Sequence, residues 1–308
     1  MSDITPPDIA SSLVSDLLKE KRSDRRWKNI RFVFWFALFA YLIFSTFKLI
    51  GGSSAVPTAA SGKKYVALIR LEGMIAPGRE FSSDTVIPLL EEAFTDKNAA
   101  GVVININSPG GTPVQAAIIH DTILSFKKKY RKKVVVVGED VLTSGAYYVA
   151  VAADKIYVNP NTITGSIGVI MKGFGFVDLM KKIGVERRVY TAGNDKDRLD
   201  PFMPQTETDM QKIQQVMGEV YQNFIQAVLA GRKGKLTADP ATLFTGDFWS
   251  GQSAAKLGLV DGLGNLMDVM QKEFGTMEYH EYGSSSSFFR MLGGQLNSVF
   301  DGAFYLQP

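Results

Sequence analysis

The sequence predicts an α/β fold, a mostly parallel sheet of βαβ units, preceded by one N-terminal transmembrane helix. Three observations lead there. β-branched runs alternate with helix-patterned segments from Tyr65 to Val158, the order expected of parallel βαβ units. A glycine turn, Asn107-Ser108-Pro109-Gly110-Gly111, falls between an expected strand and an expected helix. The segment from Phe32 to Phe47 carries no charge and is dense in aromatic residues.

Taken in order, the chain divides into five parts. Residues 1–31 hold seven Lys or Arg and five Asp or Glu and form an expected cytoplasmic segment. Residues 32–50 form the expected anchor. With Lys48, Leu49 and Ile50 the stretch reaches 19 residues, against about 20 for a spanning helix. The basic residues precede it and residues 49–62 carry none, so the positive-inside rule places the N-terminus in the cytoplasm and the body outside. A buried core helix would not need that basic flank. A signal peptide would have a shorter leader than the 31 residues before Phe32. Cleavage among the small residues Ser53 to Ala60 stays open. Residues 51–62, GGSSAVPTAASG, are small and polar with one proline and read as a flexible linker.

The body, residues 63–275, alternates. Strands are expected at Tyr65–Leu71, Gly101–Asn107, Val134–Val137 and Lys155–Val158, each an apolar run of buried-strand type. Helices are expected at Asp84–Thr95 with Asp84 as cap, at Thr112–Lys129, and at Ser144–Ala153, a run of small residues. Helical patterning returns at Glu207–Leu229, Ser253–Leu257 and Leu266–Phe274. Residues 276–308 form a C-terminal extension, whose tail, 283–308, begins with Ser284–Ser287 and then mixes Phe288, Phe289, Met291, Leu292 and Phe300 with glycine. Docking on the body, a neighbour or the membrane and fraying are equal readings of it.

Composition narrows the chemistry. The chain is 45% hydrophobic and 21% charged, ordinary for a globular protein. There is no Cys, which excludes disulfides, thiolate nucleophiles and Cys-ligated metals. Only His120 and His280 are present, too few for a multi-His metal site. Of the 34 basic residues eight lie in 1–62, and of the 31 acidic residues five, so 63–308 carries 26 of each. A neutral body gives a nucleic-acid partner no support.

Three motifs carry candidate chemistry. The turn at 107–111 lets backbone N–H groups face a ligand beside a helix N-terminus, which suits an oxyanion. A plain strand-to-helix turn would use the same residues, and no Gly-Lys-Ser/Thr follows to make a phosphate loop. In Leu142-Thr143-Ser144-Gly145-Ala146-Tyr147-Tyr148, Ser144 is either an N-cap or a nucleophile beside the N–H of Gly145. In Thr162 to Val169, Gly165-Ser166-Ile167-Gly168 is either a tight turn or a second hydroxyl next to the centre. A serine nucleophile needs a base, and neither His is well placed for a Ser-His-Asp triad. The remaining common base is lysine. A free lysine titrates at about 10.4, so burial and a hydroxyl partner must favour the neutral form of any lysine in that role. Lys155, Lys172, Lys181, Lys182 and Lys196 all lie downstream, and residue chemistry alone does not choose among them. The run Lys127–Lys133 (KKKYRKK) reads as a solvated helix C-terminus, with contact to phospholipid headgroups as the sharper alternative.

Together NSPGG at 107–111, TSGAYY at 143–148, TGSIGVI at 164–170, AGNDKD at 192–197 and GDFWSGQSAAKLGLVDGLG at 246–264 resemble the signal peptide peptidase A family, over about residues 65–275. These are bacterial membrane-anchored serine peptidases with a Ser/Lys dyad, and this chain resembles their single-length form. The resemblance implies Ser144 as nucleophile, Lys196 as general base and Ser166 as the hydroxyl that orients Lys196. The N–H groups of Gly110 or Gly111 and of Gly145 would form the oxyanion hole. It implies a fold similar to the Clp protease proteolytic subunit and the crotonases, a spiral of βαβ units. No metal or other cofactor is implied. Implied partners are peptide substrates, remnant signal peptides foremost, the bacterial cytoplasmic membrane, and further copies of the chain, with Ser144 of one protomer meeting Lys196 of its neighbour. A peptidase trimming one dedicated membrane protein, a non-catalytic membrane scaffold and a crotonase-type acyl-CoA enzyme are the rival readings.

Overall fold

The computed structural model describes residues 27, 31–41 and 64–283 of the chain. Two units, Met1–Lys63 and Lys64–Pro308, separate by their contacts. In the first, residues 31–41 form helix α1, with Phe32, Phe34, Trp35, Phe36, Phe39 and Tyr41 all exposed. The rest of the expected anchor (42–50), the expected linker (51–62), nearly all of the expected cytoplasmic segment and the extension beyond 283 lie outside the described residues. Among the described residues no helix is long and apolar enough to cross a membrane.

The second unit is a mixed α/β fold built on an eight-stranded sheet with the path β6-β5-β3-β2-β1-β8. Its long strands are β1 (Tyr65–Glu72), β2 (Ala99–Ser108) and β3 (Val134–Thr143), all parallel. β3 then forks. Its first half pairs with β4 (Lys155–Val158), which continues to β7 (Gly262–Leu263), and its last residues pair with β5 (Ile163–Gly165). β6 (Phe248–Ser250) is antiparallel to β5, and β8 (Tyr279–Tyr282) closes the other edge beside β1.

Side-chain alternation builds a core on each face. Ala67, Ile69, Val102, Ile104, Val134 and Val136 point to the larger cluster. It is covered by α2 (Ser83–Thr95) through Val86 and Leu90, by α3 (Pro113–Tyr130) through Ala116, Ile119 and Ile123, and by α4 (Gly145–Ala150). Val66, Leu68, Val103, Val135 and Val137 point to the other face, where α9 (Leu266–Phe274) supplies Val269 and Met270. Burial on both faces explains why these strands read as unbroken apolar runs.

Several expectations need correction. β3 runs six residues past Val137, to Thr143. Gly138-Glu139-Asp140, which reads as a strand end, sits where the sheet forks. The cap of α2 is Ser82 rather than Asp84; Asp84 lies in the first turn, where the helix dipole favours an acid. The Lys127–Lys133 run is only half solvated. Lys127 reaches Ala152 O and Asp154, Lys132 reaches Ala93 O and Asp96 O, and Lys133 pairs with Glu273. Lys128, Lys129 and Arg131 face water.

From residue 168 to 223 the chain buries nothing. This stretch holds α5 (Val177–Ile183) and the first two-thirds of α6 (Glu207–Gly231), and it exposes Ile170, Phe174 and Tyr190. α7 (Pro240–Leu243) and α8 (Gly251–Lys256) return the chain to the sheet.

Candidate active site

Ser144 joins the end of β3 to the start of α4. It stands at the N-cap position, yet its side chain makes no capping hydrogen bond, and its backbone holds φ 53° and ψ −126°. A non-glycine residue in such a region costs about 1–3 kcal/mol and persists only where its surroundings over-determine it. Here they do. The Ser144 N–H donates to Gly165 O at 2.8 Å, and its carbonyl accepts from Tyr148 N–H at 2.9 Å. The Ser144 hydroxyl has no hydrogen-bond partner among the described residues, so the N-cap reading does not account for it.

The glycine turn lies directly against it. A Cβ on Gly110 would come within 2.8 Å of Ser144 Cβ and 2.6 Å of Gly145 N, and one on Gly111 within 1.9 Å of Ile75 O. Only glycine permits that approach. The turn is pinned by a parallel bridge, with Ile75 N–H donating to Gly110 O and Thr112 N–H to Ile75 O. The bridge leaves the Gly111 N–H outside it. The Gly145 N–H, in the first turn of α4, has no intrahelical acceptor. Gly110 differs, because its N–H donates to the fully buried Ser108 Oγ at 3.1 Å. Of the two glycines the resemblance offered, Gly111 therefore has the unengaged N–H. Its nitrogen would sit 3.2 Å from a Cβ placed on Gly145.

Ser166 also holds a positive φ, 50°. Its N–H donates to Asp247 O at 2.7 Å. The preceding Thr164 hydroxyl donates to Leu142 O at 2.8 Å, tying β5 to the end of β3. Ser144, Gly145, Gly111 and Ser166 open on one cavity of about 580 Å³. Its far wall is apolar: Met217, Val220, Tyr221 and Phe224 from α6, Tyr148 from α4, and Val169 and Ile170. Met217, Val220, Tyr221 and Phe224 recur at helical spacing, which is the signal that marks this wall in the sequence.

Neither histidine lines the cavity. His120 is buried on α3, with Nδ1 2.7 Å from Asp121 Oδ1 and its ring edge-on to Tyr148. Burial pushes its pKa down, against the pull of Asp121. His280 lies on the edge strand β8 between the rings of Tyr65 and Tyr282. None of the five candidate lysines lines the cavity either. Lys155 pairs with Glu273 at 3.0 Å, while Lys172, Lys181, Lys182 and Lys196 are exposed. Lys196 sits in the turn from Gly193 to Asp200. The structure thus brings Ser144, Gly145, Gly111 and Ser166 together and leaves Lys196 outside that cavity of the same chain.

The chain's relatives match across these motifs. Residues 126–275, which hold Ser144, Ser166 and Lys196, match peptidase family S49. A Na(+)/H(+) antiporter NhaA of Brucella melitensis is 45% identical over 215 residues, covering 68% of this chain and 29% of the antiporter. The chain thus spans less than a third of the length of such relatives. A protein of Methanocaldococcus jannaschii named as a candidate protease is 32% identical over 224 residues, 73% of this chain and 71% of its own. One of Enterococcus faecium, named as a candidate signal peptide peptidase, is 31% identical over 225 residues, 70% of this chain and 64% of its own. With an archaeal relative matched over most of both chains, and the Ser144, Ser166 and Lys196 motifs inside the matched segment, the chain belongs to peptidase family S49.

Proposed function

We propose that the protein is a membrane-anchored serine endopeptidase that uses Ser144 and Lys196 to hydrolyse peptide bonds, with remnant signal peptides as its substrates. The observation that carries this reading is Ser144 itself. Among the described residues its hydroxyl is unengaged, its backbone is held in a strained turn, and the N–H groups of Gly111 and Gly145, also without a partner there, lie against it in one cavity.

The chemistry follows. Lys196 takes the Ser144 proton as Oγ attacks the substrate carbonyl carbon. The negative charge that develops on the carbonyl oxygen is held by the N–H groups of Gly111 and Gly145. Lys196 then gives the proton to the departing amine. A water molecule, deprotonated by the same lysine, then attacks the acyl carbon; the bond to Ser144 Oγ breaks and the lysine returns the proton to Oγ. The Ser166 hydroxyl orients the lysine. The apolar wall formed by α6, Tyr148 and Ile170 suits a substrate with small or apolar residues at the cut, as the core of a signal peptide has.

Lys196 reaches such a centre from a second copy of the chain. Two observations support a shared site: Lys196 stands outside the Ser144 cavity of its own protomer, and the segment carrying it buries no residue while exposing Ile170, Phe174 and Tyr190. Apolar surface of this extent favours association. The parallel order β5-β3-β2-β1 with its β4–β7 branch supports the Clp protease/crotonase type of spiral. Seven basic residues ahead of an uncharged aromatic segment support an anchor in the cytoplasmic membrane, with the N-terminus inside and the peptidase outside.

The test is peptidase activity of the detergent-solubilised full chain on fluorogenic peptides and an intact signal peptide. Ser144→Ala and Lys196→Ala should each lower kcat by at least about 10³. Wild-type turnover by Ser144→Ala would refute the mechanism.

A further inference from the structure

The turn that carries Lys196 has no core to hold it. Lys196 N–H donates to Gly193 O at 3.3 Å, Arg198 N–H to Asp195 O at 3.4 Å and Asp200 N–H to Asp197 O at 3.0 Å. Leu199 holds φ 70°, a left-handed conformation that a branched side chain adopts at a cost. Two of these bonds are long, Leu199 is strained, and no apolar side chain of the turn enters the core, so the backbone alone does not fix a side chain to the tolerance that proton transfer needs.

Arg198 supplies what is missing. As ion pairs, its Nη2 lies 2.9 Å from Asp195 Oδ1, in the residue just before Lys196, and its Nε, shielded from water, lies 3.0 Å from Asp209 Oδ1 but off the line of a hydrogen bond. Asp209 is the third residue of α6, and its other oxygen, Oδ2, accepts from the Thr206 N–H at 3.1 Å and the Thr206 hydroxyl at 2.7 Å. One carboxylate thus closes the helix cap and anchors the Lys196 turn. A second tie, Arg187 Nε to Asp200 Oδ2 at 2.8 Å, holds the far end of the turn. Both pairs are partly screened from water, with the Asp209 and Asp200 side chains 17% and 8% exposed. The helix reached in this way is the one that walls the Ser144 cavity with Met217, Val220, Tyr221 and Phe224.

We propose that Arg198 is a positioning residue for Lys196, fixing the lysine-bearing turn to the N-terminus of α6 through Asp209. The inference rests on the reading of Lys196 as general base. Arg198 does not touch the reacting atoms; it sets where the base can stand.

The experiment compares the full-length wild type with Arg198→Ala, Arg198→Lys, Asp209→Asn and the double variant, with Lys196→Ala in parallel. Asp209→Asn keeps an oxygen for the Thr206 cap and removes the charge. Arg198→Ala and Asp209→Asn should each lower kcat by about 10–100-fold, the scale of a misplaced catalytic group. KM should stay within about twofold, and the double variant should be no worse than either single one, as coupled residues behave. Arg198→Lys should recover part of the loss, since an ammonium keeps one pairing and loses the fork. A second arm separates positioning from folding. In mixtures of Ser144→Ala and Lys196→Ala chains, Arg198→Ala should lower the restored activity by the same factor, about 10–100-fold, when placed on the Ser144→Ala chain, which supplies the lysine. It should leave that activity in place on the other chain. A kcat within twofold of wild type for Arg198→Ala, with Lys196→Ala inactive, overturns this inference alone. A loss that tracks Tm, or one that is equal on either chain of the mixture, overturns it too by assigning Arg198 to folding. Full activity of Lys196→Ala overturns the base reading and this inference with it.

Discussion

Ser144 pays no part in capping α4 and keeps a backbone that glycine would adopt without strain. Ser144→Gly should therefore be more stable than Ser144→Ala by about 1 kcal/mol, strain relief being offset in part by the freer unfolded chain. Denaturant titration of the two inactive variants reads this directly, and equal midpoints would mean that the turn is not strained. Gly111→Ala is a different kind of change. Its Cβ would meet Ile75 O at 1.9 Å, so the Ile75–Gly111 bridge must open; activity should disappear and stability fall by about 1–3 kcal/mol. Ser108→Ala leaves the Gly110 N–H buried without an acceptor and should cost about 1–3 kcal/mol, while the N–H groups of Gly111 and Gly145 stay available. At this scale the sequence was legible in kind and not in detail. Motif order pointed to Ser144, Ser166 and the glycine turn. Which glycine has its N–H engaged depends on the Ser108 hydroxyl bonding the N–H two residues on, a local turn that Ser favours only weakly.

Among the elements, the strands and helices of the sheet follow from apolar periodicity, and the departures have local causes. β3 runs on past Gly138-Glu139-Asp140 because one strand feeds two partners, β4 and then β5, and a fork leaves no trace in hydrophobicity. The lysine run at the end of α3 looks like a solvated helix end, but distant carbonyls, Asp154 and Glu273 claim three of its cations. Glu273 also shows how α9 is fastened. Burial would push its carboxyl up, but hydrogen bonds from Lys133, Tyr157 and Lys155 outweigh that and hold it down at about 2. A carboxylate held below its ordinary value near 4.5 contributes stability above that value. The contribution is lost as pH falls through the folded value. The stability gap between wild type and Glu273→Gln should accordingly be full above about pH 4.5 and shrink toward pH 2. Chemical denaturation across that range checks it, and a gap that does not change with pH would contradict the pairing.

For the molecule as a whole, the incomplete part is the informative one. A body that buries both faces of its sheet still leaves residues 168–223 without a core, and that stretch carries Lys196, the proposed base. The resemblance of the AGNDKD motif pointed to Lys196, but the ties that hold its turn, Arg198 to Asp209 and Arg187 to Asp200, join residues 11 and 13 positions apart and carry no periodic signal. In the proposed site, Ser144 of one chain works with Lys196 of another. The direct measurement is to mix the solubilised Ser144→Ala and Lys196→Ala variants, each inactive alone, under conditions that let subunits exchange, and to follow peptide cleavage. A shared site predicts that activity returns in the mixture, up to about a quarter of wild type if exchange between neighbours is random. A mixture that stays inactive after demonstrated exchange would contradict the shared site.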